Sequence, residues 1–324
     1  IKTHKCVEVA RLQLRAGCQG LTVSTLAEAR VFADHGFEDL TWAFPLILNR
    51  ISEARELAER VRLRLVVDSH AAIDVLEDQS FPFDVWLKVD CGYHRAGVDP
   101  ESRLATELVQ RLGASRRLRF DGLLTHSGHA YKAHSPAELA AVAEQERAVM
   151  HRLAESLRSR GLAVPTVSIG STPAMSVVRN LEGVDEARPG NYVYYDRMQV
   201  DLGACRVADC AVSVLASVIS SQPGAAHCVV DTGALAMSKD SGLDRGDSPS
   251  MGAVYDDYDA GVLSEERQLG TLSQEHGILS TPLPVGQRIR ILPNHSCLTV
   301  ACFDQCVVAR GQRVVDRWRI WNGR

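Results

Sequence analysis

From the first residues to about position 190, short apolar runs rich in β-branched side chains alternate with longer stretches whose apolar positions recur every three to four residues. The runs Gly20–Thr25, Asp39–Phe44, Arg64–Asp68, Asp84–Asp90, Phe120–Thr125, Thr166–Gly170 and, more weakly, Val184–Arg188 predict strands. The stretches Leu26–Gly36, Ile51–Val61, Ala71–Glu77, Glu101–Leu112 and Pro136–Arg160 predict helices. Strand followed by helix, repeated in this way, calls for a parallel sheet with helices on its faces. Seven strands point to closure as a TIM-type (β/α)8 barrel, with the eighth strand assigned to Ile1-Lys2 as the end of an element that starts before the sequence given. Lys2 is then at the carboxyl end of a barrel strand, where such barrels build active sites.

After residue 205 the period changes. Ala211–Ser220, Ala226–Thr232, Arg288–Leu292, Leu298–Phe303 and Gln305–Ala309 alternate in the manner of strands, and Gln222-Pro223-Gly224 and Arg310-Gly311-Gln312 supply turns between them. No helix is expected among them. The chain therefore reads as an α/β barrel over 1–204 followed by an antiparallel β domain over 205–324. Ser241–Ala260, rich in Asp, Gly and Ser, is expected to be a long surface loop.

Composition narrows the function. At 324 residues, 45% hydrophobic and 23% charged, the chain is a folded protein of about two domains and neither disordered nor fibrous. A formal charge of -4 provides no basic field for a nucleic acid. No apolar run approaches the roughly 18 residues that span a bilayer, and the opening residues do not resemble a signal peptide, so a cytoplasmic protein with no membrane partner is expected. Nine cysteines without a CxxC pair argue against a disulfide scaffold.

Several strand ends carry candidate chemistry. Lys2-Thr3-His4-Lys5 sets two lysines and a histidine together, and a lysine beside another cation loses its proton more readily and can form a Schiff base. Ser168-Ile169-Gly170-Ser171-Thr172-Pro173 leaves a strand and enters a short helix, which fits either a phosphate cup or an ordinary N-cap. Arg188-Pro189-Gly190-Asn191-Tyr192 forms a second small-residue turn at the next strand end. Asp90-Cys91-Gly92-Tyr93-His94-Arg95-Ala96-Gly97 offers Arg95 between glycines. Thr125-His126-Ser127-Gly128-His129 and Glu275-His276-Gly277 bring histidines. Finally, if Pro293–Cys297 is extended, His295 and Cys297 point to one face and form an imidazole–thiolate pair suited to Zn²⁺.

Together these segments resemble the pyridoxal-phosphate enzymes of the D-serine dehydratase and D-threonine aldolase family, which are related to alanine racemase. The resemblance implies an alanine-racemase-like fold, with Lys2 as the Schiff-base lysine and Arg95 near the cofactor ring. It further implies Gly170, Ser171, Thr172, Gly190 and Asn191 as phosphate binders with Tyr192 beside them, and His295 and Cys297 as metal ligands. The His-x-Cys pair and the Gly-Ser-Thr-Pro run are similar to the zinc-holding dehydratases. The aldolases carry His-x-Asp, suited to manganese or magnesium, and a Gly-Gly-Gly-Thr-Gly run. The implied activity is conversion of D-serine to pyruvate and ammonia, with retro-aldol cleavage of D-threonine as the alternative. A racemase or a non-catalytic cofactor carrier ranks after these. Lys2 is the implied base at Cα, and His126, His129 and His276 are candidates for a second acid/base. The implied partners are a small D-amino acid and a second copy of the chain in a homodimer.

Overall fold

The computed structural model describes residues 1–243 and 250–323. The chain divides into two compact units, one made chiefly of Ile1–Lys2 and Cys6–Pro189, the other of Thr3–Lys5 and Gly190–Asn322. The division at 189/190 falls ahead of the expected 204/205.

In the first unit the elements are α1 (Val7–Arg15), β1 (Leu21–Val23), α2 (Leu26–Asp34), β2 (Asp39–Pro45), α3 (Ile51–Ala58), β3 (Arg62–Val67), α4 (His70–Asp78) and β4 (Asp84–Lys88). There follow α5 (Arg103–Ala114), β5 (Arg119–Leu124), α6 (Pro136–Ser159), β6 (Thr166–Ile169), α7 (Thr172–Val177) and β7 (Glu186–Ala187). The seven strands form one parallel sheet in chain order. Leu40, Leu65, Val85, Leu87, Leu123 and Val167 are fully buried, as strands covered on both faces require. The helices α2, α4, α5 and α6 begin where the sequence supplies caps: Thr25, Ser69, Ser102 and Ser135 each accept a backbone N–H three residues on. The eighth strand expected at Ile1–Lys2 does not form. Those residues lie at a turn rather than in a strand, and the Ile1 amino group donates to the Thr22 carbonyl of β1 at 3.0 Å.

Opposite the carboxyl ends of the strands, Arg62, Arg64 and Arg119 interlock with Asp39, Asp84 and Asp121. This face of such sheets contributes stability rather than chemistry. Within β5, Gly122 has φ +138°, and a Cβ there would lie 1.9 Å from the Thr166 carbonyl oxygen of β6.

The second unit holds α8 (Arg197–Asp201), β8 (Val214–Ser220), β9 (Cys228–Val230), α9 (Ala234–Met237), β10 (Ala253–Asp257), β11 (Val262–Leu272), β12 (Gly277–Leu279), β13 (Arg288–Leu292), α10 (Ser296–Val300), β14 (Gln305–Arg310) and β15 (Arg313–Arg319). Six strands close a barrel in the order β10-β11-β12-β9-β8-β13, every pairing antiparallel. Its core is Val214, Ala216, Val218, Val230, Val254, Leu269, Leu279, Ile289 and Ile291. β14 and β15 form a separate hairpin.

Three expectations for this unit are corrected. The stretch Leu298–Phe303 is not a strand: α10 occupies Ser296–Val300, and the His295 carbonyl accepts from the N–H groups of Leu298 and Thr299. The apolar spacing there follows a helical period, burying Cys297 and Val300 and exposing Leu298. Short helices therefore do occur between the strands. The loop expected over Ser241–Ala260 contains β10, and its residues 244–249 lie outside the described residues. All nine cysteines are free thiols.

Candidate active site

At the carboxyl ends of β4, β5 and β7 the first unit gathers charge. Lys88, the last residue of β4, is 8% exposed. Burial, reinforced by the charges of Arg188 and Arg95 and opposed by Glu146, pulls its pKa down to about 8. Arg188 follows β7 and is buried. It donates to the Ser168 hydroxyl and the Thr125 carbonyl and lies 3.6 Å from Glu186. His126, just past β5, is pushed by burial down to about 3, with the charges of Lys88, Lys2 and Arg95 acting the same way. Its ring is therefore neutral at physiological pH. Because Nδ1 lies 3.1 Å from the Gly170 carbonyl, an obligate acceptor, Nδ1 carries the proton and Nε2 is left as an acceptor.

Lys2 is exposed, and its charge reaches His126. Arg95 is also exposed, its guanidinium 4.9 Å from the Tyr93 ring centroid. The turn carrying both Tyr93 and Arg95 is organised by Asp90, whose carboxylate accepts from the N–H groups of Gly92 and His94. Tyr93 in turn meets His126 edge-on and stacks on His129.

The Gly170 turn needs glycine: φ is +117°, and a Cβ would approach the Arg188 backbone nitrogen to 3.2 Å. Ser171 caps α7 by accepting from the Ala174 N–H, as an ordinary N-cap does. Its hydroxyl also lies 3.2 Å from that of Ser127. Thr172 is buried beside it.

In the second unit, His295 is the N-cap of α10 and Cys297 its second residue, so the pair does not sit on an extended strand. Pro293 ends β13 by withholding an N–H, and the chain turns into the helix there. The two side chains nevertheless interact. Burial disfavours the charge of His295, but Asp240 at 2.9 Å from Nδ1 and the Cys297 thiolate outweigh it and raise its pKa to about 10. With Nδ1 engaged by Asp240, Nε2 is the nitrogen available to a metal. Cys297 Sγ lies 3.1 Å from Thr3 Oγ1 and 3.8 Å from Asn191 Nδ2. The Asn191 amide also donates to Asp196, which accepts from the Ser296 backbone and hydroxyl. Asn191 thus lends its side chain to the network around Cys297, while Gly190 stands next to Thr3 and Tyr192 is half-buried in the following turn. His276 is exposed in the turn between β11 and β12. Among the described residues no group of three or more His, Cys, Asp or Glu is placed to hold a metal.

Both groups implied by the sequence fit these donors. Lys2, Lys88, Arg95 and Arg188 set four cations in one electrostatic cluster against the carboxylates of Glu146 and Glu186. That excess suits a phosphorylated anion beside a reactive amine. An imidazole Nε2 and a thiolate suit a borderline divalent ion such as Zn²⁺. Lys88, Glu146, Asp196 and Asp240 are polar participants that the sequence reading missed, and Arg188 was named there only as the start of a turn. Lys88 had a visible signal, as a cation that follows the apolar run Val85-Trp86-Leu87.

Residues 1–198 match the family model of the alanine racemase N-terminal domain, and residues 211–309 match that of the putative serine dehydratase domain. The chain belongs to the family that joins these two domains. D-threo-3-hydroxyaspartate dehydratase of Delftia sp. (strain HT23) is 37% identical over 339 residues, covering 100% of this chain and 89% of the relative. Its solved structure superposes with a TM-score of 0.93, and a cysteine-to-alanine variant in the metal-free form with 0.92. D-serine dehydratase of Dictyostelium discoideum is 34% identical, covering 98% of this chain and 88% of the relative. D-threonine aldolase of an Arthrobacter species is 25% identical over 98% of this chain and 83% of its own. No helix among the described residues is long and apolar enough to cross a membrane.

Proposed function

We propose that the chain is a pyridoxal-phosphate- and metal-dependent lyase that removes water from D-β-hydroxy amino acids, with D-serine to pyruvate and ammonia as the reaction to test first. The observation that carries this reading is the 3.1 Å contact between Thr3 Oγ1 and Cys297 Sγ. Lys2 precedes Thr3 directly, so the segment bearing the candidate amine also bears a partner of the candidate metal ligand. The dehydratases among the relatives, at 37% and 34% identity, support elimination over aldol cleavage.

Lys2 would hold the cofactor through Nζ, Arg95 and Arg188 would face its ring or phosphate with positive charge, and the Gly170-Ser171-Thr172 turn would bound the phosphate. His295 Nε2 and Cys297 Sγ would hold the ion, for which zinc is the best chemical match. When bound, the cofactor would supply an electron sink at Cα and the ion a Lewis acid for the β-hydroxyl. With the cofactor in place, Lys2 Nζ would lie closest to the substrate's Cα and would serve as the base for its proton. His126 does not compete with Lys2 as that base. Held neutral, with a pKa near 3, it accepts a hydrogen bond at Nε2 but takes up a proton poorly. The protein is proposed to work as a homodimer in the cytoplasm.

The test is product analysis with D-serine, D-threo-3-hydroxyaspartate and D-threonine, each with and without chelator. Chelator-sensitive pyruvate or another 2-oxo acid is expected. Glycine with an aldehyde instead identifies an aldolase, and inversion at Cα without cleavage identifies a racemase.

A further inference from the structure

Glu146 sits in the interior of α6 and is completely buried, although a carboxylate is among the costliest groups to remove from water. Its surroundings explain why it is tolerated. Oε1 accepts from the backbone N–H of Ser127 at 2.9 Å and from that of Gly170 at 3.1 Å, while Oε2 accepts from the Ser127 hydroxyl at 2.8 Å. Ser127 has only one hydroxyl proton, which goes to Oε2, so the Ser171 hydroxyl is the donor in the 3.2 Å contact between the two serines. Gly170 returns the link by accepting from His126 Nδ1. The segments that follow β5 and β6 are thereby closed into one ring through a helix that lies outside the sheet.

We infer that Glu146 is a positioning residue. By bridging the Ser127 and Gly170 amides, it holds the His126 segment and the Gly170–Ser171 turn as one preformed unit, and so sets the affinity of this end of the sheet for pyridoxal phosphate. The inference rests on the cofactor reading above and adds to it the group that shapes the cradle. A phosphate turn fixed before binding loses less freedom on binding, which is how a residue that does not touch the ligand strengthens its hold.

Two variants separate reach from charge. Glu146→Asp keeps the charge but is one methylene too short to serve both amides. Glu146→Gln keeps the length: its carbonyl oxygen can accept from both amides, and the Ser127 hydroxyl can turn to accept from its amide group. Pyridoxal phosphate affinity is read by titrating the metal-free, cofactor-stripped protein and following its visible absorbance, and amide hydrogen exchange is followed at Ser127 and Gly170. The Asp variant should raise Kd about tenfold and speed exchange at those two amides, with α6 and β5 otherwise protected as in the wild type. The Gln variant should restore Kd to within about threefold of the wild type. Wild-type Kd and exchange in the Asp variant would overturn the inference. So would equal losses in the two variants, which would assign the effect to charge. Failure of the wild type to bind the cofactor would sink the functional reading instead, and the exchange measurement would still test the bridge.

Discussion

Replacing Asp240 isolates the contribution of one hydrogen bond to metal binding. Its Oδ2 lies 2.9 Å from His295 Nδ1, with both side chains little more than a fifth exposed, and its Oδ1 accepts from the Gly242 N–H, also at 2.9 Å. The carboxylate is thus fixed by the turn at one oxygen and orients the imidazole with the other. Asparagine has only one acceptor and cannot serve both partners, whereas alanine serves neither. A hydrogen bond to a charged group contributes about 1.5–3 kcal/mol, and loss of a group that orients a metal ligand typically lowers affinity about 10–100-fold. These ranges agree, since a factor of ten is about 1.4 kcal/mol. Asp240→Asn is expected near the lower limit, about tenfold weaker, and Asp240→Ala near the upper, about a hundredfold. Competition of the metal-stripped protein with a chromophoric chelator for Zn²⁺ measures this directly, and a melting curve without metal checks that the fold is intact. A Kd for Asp240→Ala within twofold of the wild type, in a folded protein, would refute the assignment of His295 Nε2 as a ligand held in place by Asp240.

Lys2→Ala should purify without the visible absorbance of a lysine-bound cofactor while keeping its far-ultraviolet circular dichroism; a retained band would move the attachment to another lysine. Lys88 gives a pH dependence of the cofactor-free protein. Its pKa falls from 10.5 to about 8 on folding, which costs on the order of 3 kcal/mol below pH 8. Between pH 8 and 10.5 the unfolded chain binds more protons than the folded one, so Lys88 makes stability rise with pH there. Denaturant titrations should show this rise, and Lys88→Met should remove it and gain stability at pH 7; an unchanged slope would refute the buried charge. Gly170→Ala forces a side chain into φ +117° against the Arg188 backbone and should lower the denaturant midpoint by the equivalent of about 1–3 kcal/mol. A midpoint equal to that of the wild type would show that the turn relaxes.

The parallel sheet was readable because its strands are largely apolar and most of its helices start at Ser and Thr caps, signals that are local in the sequence. The end of β13 was not. After Pro293 the residues Leu298, Val300 and Cys302 satisfy a period of two as easily as part of a helical one, and the turn that opens at the His295 carbonyl is what decides between them. The candidate ligands were legible as chemistry, since His, Cys and Lys stood out by residue type whatever element carried them. Their supports were not. Glu146 lies among Glu144, Gln145 and Arg147, where a charged residue is what any solvent-facing helix would carry, and its burial follows from distant backbone groups. Asp240 is 55 positions from His295, and no spacing rule links them.

Gly122 has a bearing on mutational surveys. With a Cβ 1.9 Å from the Thr166 carbonyl, any replacement there must prise β5 away from β6 just ahead of the segment that carries His126. In a saturation screen scored by turnover this position would therefore show the intolerance of a residue that meets substrate, while its variants would be lost from the soluble fraction on expression.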